Sequence, residues 1–326
     1  MRGVLNVPME AFQGFCRAKT NFYIFQKLGE PSATTYVPDW FRDGLVWVSN
    51  APTIGINKDG VELFKVDEHG NRLEQIDDVA IGDVSALLAG KTTATAEFEV
   101  ADSEYIGVPK YSDSSSAEAF STALKENLSE FKVVSLGDLI DGDLLEVRAG
   151  HGSPAADVRN GDIPYIKVSD LRAGLVNINS TNMVSKAVAM KYWKGTGSGL
   201  KPYDVITPAR ACKNIGEPVV ILPDQTDLII TKEVLIFSPG EHAPFDSFYL
   251  AWALDLPEVK AQWDRIIFMQ TNREDVGNRY REILVPLPPN KEKAAHVSQA
   301  YRDYYTSLHR IRRAFEQNRT SLISGI

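Results

Sequence analysis

Cations and amide donors are the residues of this chain best suited to chemistry. Lys167, Lys186, Lys191, Lys194, Lys201, Arg210 and Lys213 crowd its middle, and Gln270, Asn272, Arg273, Asn278 and Arg279 gather around Gly277. Lysine and arginine neutralise phosphates and set register on a duplex. Arginine, lysine, asparagine and glutamine also match the base edges displayed in the major groove. Both groups are therefore candidate contacts to double-stranded DNA. Any one of these side chains, taken singly, reads as a solvated surface charge; the grouping carries the reading.

Other chemistries lack their residues. Gly90-Lys91-Thr92 ends like a phosphate-cradling loop, yet Ser85 stands where that loop needs its first glycine. His69, His151, His242, His296 and His309 are scattered without metal-ligand spacing, so each reads as a surface or packing residue. No serine sits in a nucleophile elbow. Asp141 and Asp143 fall in a turn, where carboxylates are common for structural reasons. No catalytic, cofactor-binding or metal-binding residue is assigned.

A chain of 326 residues, 44% hydrophobic and 24% charged, has the composition of a globular protein with two or three domains. Its net charge of -8 argues against nucleic acid. That sum hides an asymmetry. Residues 1–130 carry 11 basic and 20 acidic side chains, whereas residues 160–215 carry 8 basic and 3 acidic. A DNA-binding module joined to an acidic one fits this distribution. No apolar run is long enough to span a membrane, and the N-terminus lacks signal-peptide order. Cys16 and Cys212 make neither a disulfide scaffold nor a zinc knuckle. The expected location is the cytoplasm, with no membrane partner.

Position along the chain is set by turn and strand signals. Residues 21–25 and 61–66 read as strands, Asn57-Lys58-Asp59-Gly60 and His69-Gly70-Asn71 as turns, and residues 76–88 as a helix. The Ser/Asp-rich stretch 112–116 reads as an exposed approach to a helix over 117–130, and so as a domain boundary. Beyond it, residues 163–168, 205–207, 219–222 and 234–237 read as strands between turns. Residues 248–254 and 257–267 read as helices. After Lys291, Val297, Tyr301, Tyr304, Leu308, Ile311, Phe315 and Leu322 recur at heptad spacing. That pattern suits a helix lying on its own domain and equally a coiled-coil helix that pairs with a partner.

Two segments resemble known families. The run from Phe12 through Lys19-Thr20 and Asn21-Phe22-Tyr23-Ile24-Phe25 to Lys27 resembles the C-terminal hairpin of adenine-N6 DNA methyltransferases of the type I class. Ile54-Gly55-Ile56-Asn57-Lys58-Asp59-Gly60 resembles the segment after that hairpin in the same family. The family's catalytic loop, Asn or Asp then two prolines and an aromatic, accepts a flipped adenine. The one Pro-Pro pair here, Pro288-Pro289, precedes Asn290, and no glycine-rich loop for S-adenosylmethionine is seen. Transfer chemistry is therefore expected to lie on another polypeptide, or on a longer enzyme of which this is the C-terminal piece.

The second resemblance is broader. Val134-Ser135-Leu136-Gly137-Asp138-Leu139, Gly161 to Leu171, Leu200-Lys201-Pro202-Tyr203-Asp204-Val205-Ile206, Phe248-Tyr249-Leu250 and Ile283 to Pro289 occur in this order. They resemble the target recognition domain of type I restriction–modification specificity subunits. The resemblance implies an α+β chain in three parts. Residues 1–115 would be a methyltransferase-tail β-hairpin region, residues 116–289 a mixed α/β target recognition domain, and residues 290–326 a long spacer helix of coiled-coil type. It further implies sequence-specific DNA recognition within an adenine-N6 methylation system. The partners would be double-stranded DNA, methyltransferase subunits and, through the helix, a second copy. No cofactor is expected on this chain; S-adenosylmethionine belongs to the missing catalytic region. The alternatives are a fragment of a fused methyltransferase–specificity enzyme and an assembly or decoy protein that docks methyltransferase subunits without touching DNA.

Overall fold

Strand-forming aromatic and β-branched residues start the chain, and the strand Leu45–Ser49 shows why they assemble: Val46, Trp47, Val48 and Ser49 are all buried. A strand covered on both faces is largely apolar and central, and the one polar side chain among these, Ser49, is hydrogen-bonded to Asp83. In the computed structural model it pairs in parallel with Gly3–Val7 and antiparallel with Ala96–Val100. The structure describes residues 1–12, 20–25, 44–100, 105–268 and 275–324. They divide into two compact units. One is Met1–Ser114 with Asp264–Glu274, and the other is Ser115–Trp263 with Asp275–Ile326.

The first unit holds a four-stranded sheet in the order Thr20–Ile24, Gly3–Val7, Leu45–Ser49, Ala96–Val100. Here the structure corrects one expectation. The strand Thr20–Ile24 finds its hairpin partner in Gly3–Val7, ahead of the resembling motif, while Met9–Phe12 forms a 3-10 turn. Residues 13–19 and 26–27 of that motif lie outside the described residues. A second correction concerns the helix expected from residue 76. Ile76 ends the strand Arg72–Ile76, and the helix is Val79–Leu88. Its start is set by Asp78, whose side chain accepts from the Ile81 N–H.

One carboxylate ties this helix to the sheet. Asp83, 1% exposed, accepts from the hydroxyls of Ser49 (2.7 Å), Thr93 (2.6 Å) and Thr95 (2.8 Å). A buried anion persists when hydrogen bonds replace its water. Replacing Asp83 with Ala strands three donors, one of them on the fully buried Ser49. The expected loss is about 2–3 kcal/mol, read as a lower unfolding midpoint in urea; an unchanged midpoint refutes the assignment.

The second unit opens with the helix Ser115–Asn127, which begins within the stretch expected to be an exposed approach. Its first strand, Lys132–Ser135, pairs antiparallel with Leu284–Leu287. The two ends of the recognition-like segment are thus zipped together. Between them a four-stranded sheet runs in the order Val219–Val220, Val205–Pro208, Val234–Pro239, Leu145–Ala149. A three-stranded sheet places Ile163–Ile166 between Met183–Val184 and Ile229–Ile230. Ile166, Leu171, Ile206, Val219, Ile230 and Ile236 fill the core between them. The helices Ser247–Asp255 and Pro257–Arg265 occupy the stretches read as helical.

The helix Lys291–Ser324 carries two faces rather than one seam. Ala294, Ser298 and Tyr305 are buried. Around them Arg302 pairs with Asp246, the Tyr301 hydroxyl donates to Asp255, and the Tyr305 hydroxyl donates to the Gly174 carbonyl at 3.0 Å. Arg312 reaches Asp224 at 3.6 Å. Tyr304, Ile311 and Phe315 are 50%, 66% and 62% exposed. Val297 and Leu308 are half-buried, and the Leu322 side chain lies outside the described ones. The heptad spacing thus combines a domain-facing start with an apolar stripe in solvent.

Candidate nucleic-acid interface

The short helix Lys186–Tyr192 is the best-defined basic element. Ser185 caps it, its side chain accepting from the Val188 N–H. One side is apolar: Ala189 and Trp193 are buried with Tyr165, Val184 and Ile229, and Val188 and Tyr192 pack against them. Helical geometry then turns Lys186 and Lys191 outward, followed by Lys194 just past the helix end. All three are exposed. The ion pairs that do involve lysine use Lys110, Lys201, Lys260 and Lys293, so among the described residues this trio is not neutralised.

The other candidates divide sharply. Lys167 is half-buried; its ammonium donates to Asn182 at 3.0 Å and stands 5.0 Å from the centre of the Tyr165 ring. Asn182 immediately precedes the strand that leads into the basic helix, so Lys167 extends the same patch. Lys201 and Arg210 are already paired, with Glu146 and Glu233, both at 3.2 Å. A phosphate would have to displace those carboxylates. Lys213 is exposed. Its neighbour Asn214 is structural, donating to the carbonyls of Val168 (3.1 Å) and Leu171 (2.6 Å). Asn278 is exposed and Arg279 half-buried on the 3-10 helix Gly277–Glu282. The backbone bridge between Arg210 and Asp275 brings this turn beside residues 210–213. Gln270, Asn272 and Arg273 lie outside the described residues.

The structure therefore forms two clusters. Lys167, Lys186, Lys191 and Lys194 belong to the first; Arg210, Lys213, Asn278 and Arg279 belong to the second. Asn214 links them by holding the turn after Lys167. Lys201 stands apart, next to a buried ion pair that fixes the preceding loop. Arg148 donates to Asp204 (2.8 Å) and to the Gly199 carbonyl (2.6 Å), and Asp204, 2% exposed, also accepts from Ser238 at 2.6 Å.

His151 and Arg159, neither of them among the candidate contacts, also pack against these elements. The His151 ring centre lies 6.4 Å from that of Tyr192, and the Arg159 guanidinium 5.4 Å from the centre of the Tyr165 ring. Burial and the Lys194 cation hold the His151 imidazole below its ordinary pKa. Among the described residues no group of His, Cys, Asp and Glu could hold a metal ion, and no helix is long and apolar enough to cross a membrane.

No protein-family model and no curated protein matches this chain. Three solved structures similar to it come from type I restriction–modification systems. One is from work on the complex assembly and conformational transition of such a system; it is 15% identical, covers 64% of this chain and 49% of its own, and has a TM-score of 0.38. The HsdS subunit from Thermoanaerobacter tengcongensis is 15% identical over 60% of this chain and 45% of its own, with a TM-score of 0.36. The type I S subunit from M. genitalium is 14% identical over 60% and 48%, with a TM-score of 0.33. The chain thus spans less than half the length of each.

Proposed function

We propose that this chain reads duplex DNA sequence for an adenine-N6 methylation or restriction–modification system. The observation that carries the proposal is the unneutralised trio Lys186, Lys191 and Lys194 on a helix anchored by Ala189 and Trp193. Cations held on a rigid support lose little entropy when they meet phosphates. The ordered elements from Val134 to Pro289 support the same reading. In it, residues 116–289 form the recognition domain, and residues 1–115 correspond to the tail of a methyltransferase. Residues 290–326 form a spacer and docking helix. Methyl transfer, with S-adenosylmethionine, belongs to partner methyltransferase subunits.

A mixed-sequence duplex library titrated with the chain tests the proposal. Binding should appear at low salt, weaken steeply as salt rises, and enrich a subset of sequences. No binding at about 50 mM salt ends it.

The exposed stripe Tyr304, Ile311 and Phe315 supports docking through the long helix, to a second copy or a methyltransferase subunit. Ile311→Glu with Phe315→Glu puts charge on that stripe while leaving Tyr301, Arg302 and Tyr305 in place. Sedimentation should show any self-association lost and the melting temperature kept. Association that survives both charges places the contact elsewhere.

A further inference from the structure

Residues 151–160 join the strand Leu145–Ala149 to the strand Ile163–Ile166, and both of their ends are clamped. At Gly150 an added Cβ would collide with the carbonyl oxygens of Thr231 and Ile230. At Gly161, with φ of +154°, it would collide with the backbone of Val184 and Ser185. Only glycine lets the chain come this close. The first clamp is extended by His151, whose N–H donates to the Ile230 carbonyl at 2.6 Å.

These clamps fix where the loop runs. Gly161 abuts Ser185, the cap of the basic helix, and His151 faces Tyr192 and Lys194 at its other end. The two ends of the loop therefore lie at the two ends of that helix, the His151 end close to Lys194. The loop carries side chains of a different kind. Arg159 is exposed, and its Nε and one terminal nitrogen donate to the Pro154 carbonyl at 3.2 and 3.0 Å. The Tyr165 ring lies beneath it. That arrangement pre-orders the guanidinium and leaves its other terminal nitrogen outside those bonds.

We infer that residues 151–160 form a sequence-reading loop, with His151 and Arg159 contacting base edges while Lys186, Lys191 and Lys194 hold the phosphates. This rests on the DNA-recognition reading above and assigns specificity to residues outside the basic clusters. The chemistry separates the roles. Burial and the Lys194 cation favour the neutral His151 imidazole, which presents one donor and one acceptor and so suits a base edge rather than a phosphate. A pre-ordered arginine suits the paired acceptors of guanine.

The test is selection from a randomised duplex library followed by sequencing, using the full chain and three variants: His151→Gln, Arg159→Ala and Lys191→Glu. His151→Gln and Arg159→Ala should each relax preference at one position, costing about ten-fold on the preferred duplex and leaving the salt dependence unchanged. Lys191→Glu should instead weaken all sequences alike and reduce the salt slope by about one. Arg159 is exposed, so its variant stays informative if His151→Gln lowers stability. If both loop variants select the wild-type sequences, the loop is not a reader, although the DNA-recognition reading stands. If the wild-type chain selects nothing, both readings fall.

Discussion

A chain carrying Lys191→Glu and Lys194→Glu is expected to bind duplex DNA roughly a hundred-fold more weakly at about 0.1 M salt than the unaltered chain. The magnitude comes from counterion release. Each phosphate neutralised contributes about 0.9 to the slope of affinity against salt on logarithmic axes, so removing two contacts shifts the slope by about two. Reversing the charges adds repulsion to that loss. Both side chains are exposed and lie outside the ion pairs, so the fold should be untouched. Lys201→Glu makes the informative contrast. Its ammonium already faces Glu146 at 3.2 Å, so losing it should change binding much less. Filter binding of one duplex across a salt series measures all three proteins. Equal affinity for the double variant and the unaltered chain would remove the basic helix from the interface, whatever the remaining residues do.

The largest expected effect on stability lies at Asp204. Replacing it with Ala should cost about 3 kcal/mol, because the part-buried Arg148 charge then keeps only the longer ion-pair contact to Glu146, at 3.7 Å. Arg148 side-chain exposure of 29% places the loss at the lower end of what breaking a buried ion pair costs. Two more donors lose their acceptor at the same time: the Ser238 hydroxyl and the Lys201 N–H, at 2.6 and 2.9 Å. For a unit of this size the melting temperature should fall by about 6–12 °C. Ser238→Ala removes the hydrogen bond to Asp204 and a long one, 3.4 Å, from Arg148, and should cost about 1 kcal/mol. Exchanging both members of the pair for apolar residues should recover part of the loss, since no charge is then stranded. A melt of Asp204→Ala that matches the unaltered chain would contradict this account. The network also has a functional side. Asp204 holds the Lys201 N–H at 2.9 Å and orients the Arg148 side chain that donates to the Gly199 carbonyl at 2.6 Å, so the variant should loosen the loop after Lys194, and DNA affinity should fall with stability.

What the sequence determined alone is mostly local. The Ser135–Asp138 capping box and the Asn57 turn are each settled within a few residues. The strand Val205–Pro208 and the helix Ser247–Asp255 likewise fall where pattern and capping place them. Such features depend on propensity and short-range hydrogen bonds, which are written directly in neighbouring residue types. The charge asymmetry and the basic middle of the chain are legible for the same reason, since they need only counting.

Tertiary structure decided which of those charges remain available. Glu146 and Lys201 are far apart in sequence, as are Glu233 and Arg210, and their pairing depends on how strands stack rather than on any local pattern. The same holds for the partner of Thr20–Ile24, which lies before the motif that flagged the strand. It holds for the two faces of the long helix, where heptad spacing cannot say which residues meet the domain and which meet solvent. His151 reads as an isolated histidine until folding sets it beside Lys194 and Tyr192. In each case the deciding contact joins residues distant in sequence, and the free energy that selects it comes from burying a shared core, a quantity no short window of sequence contains.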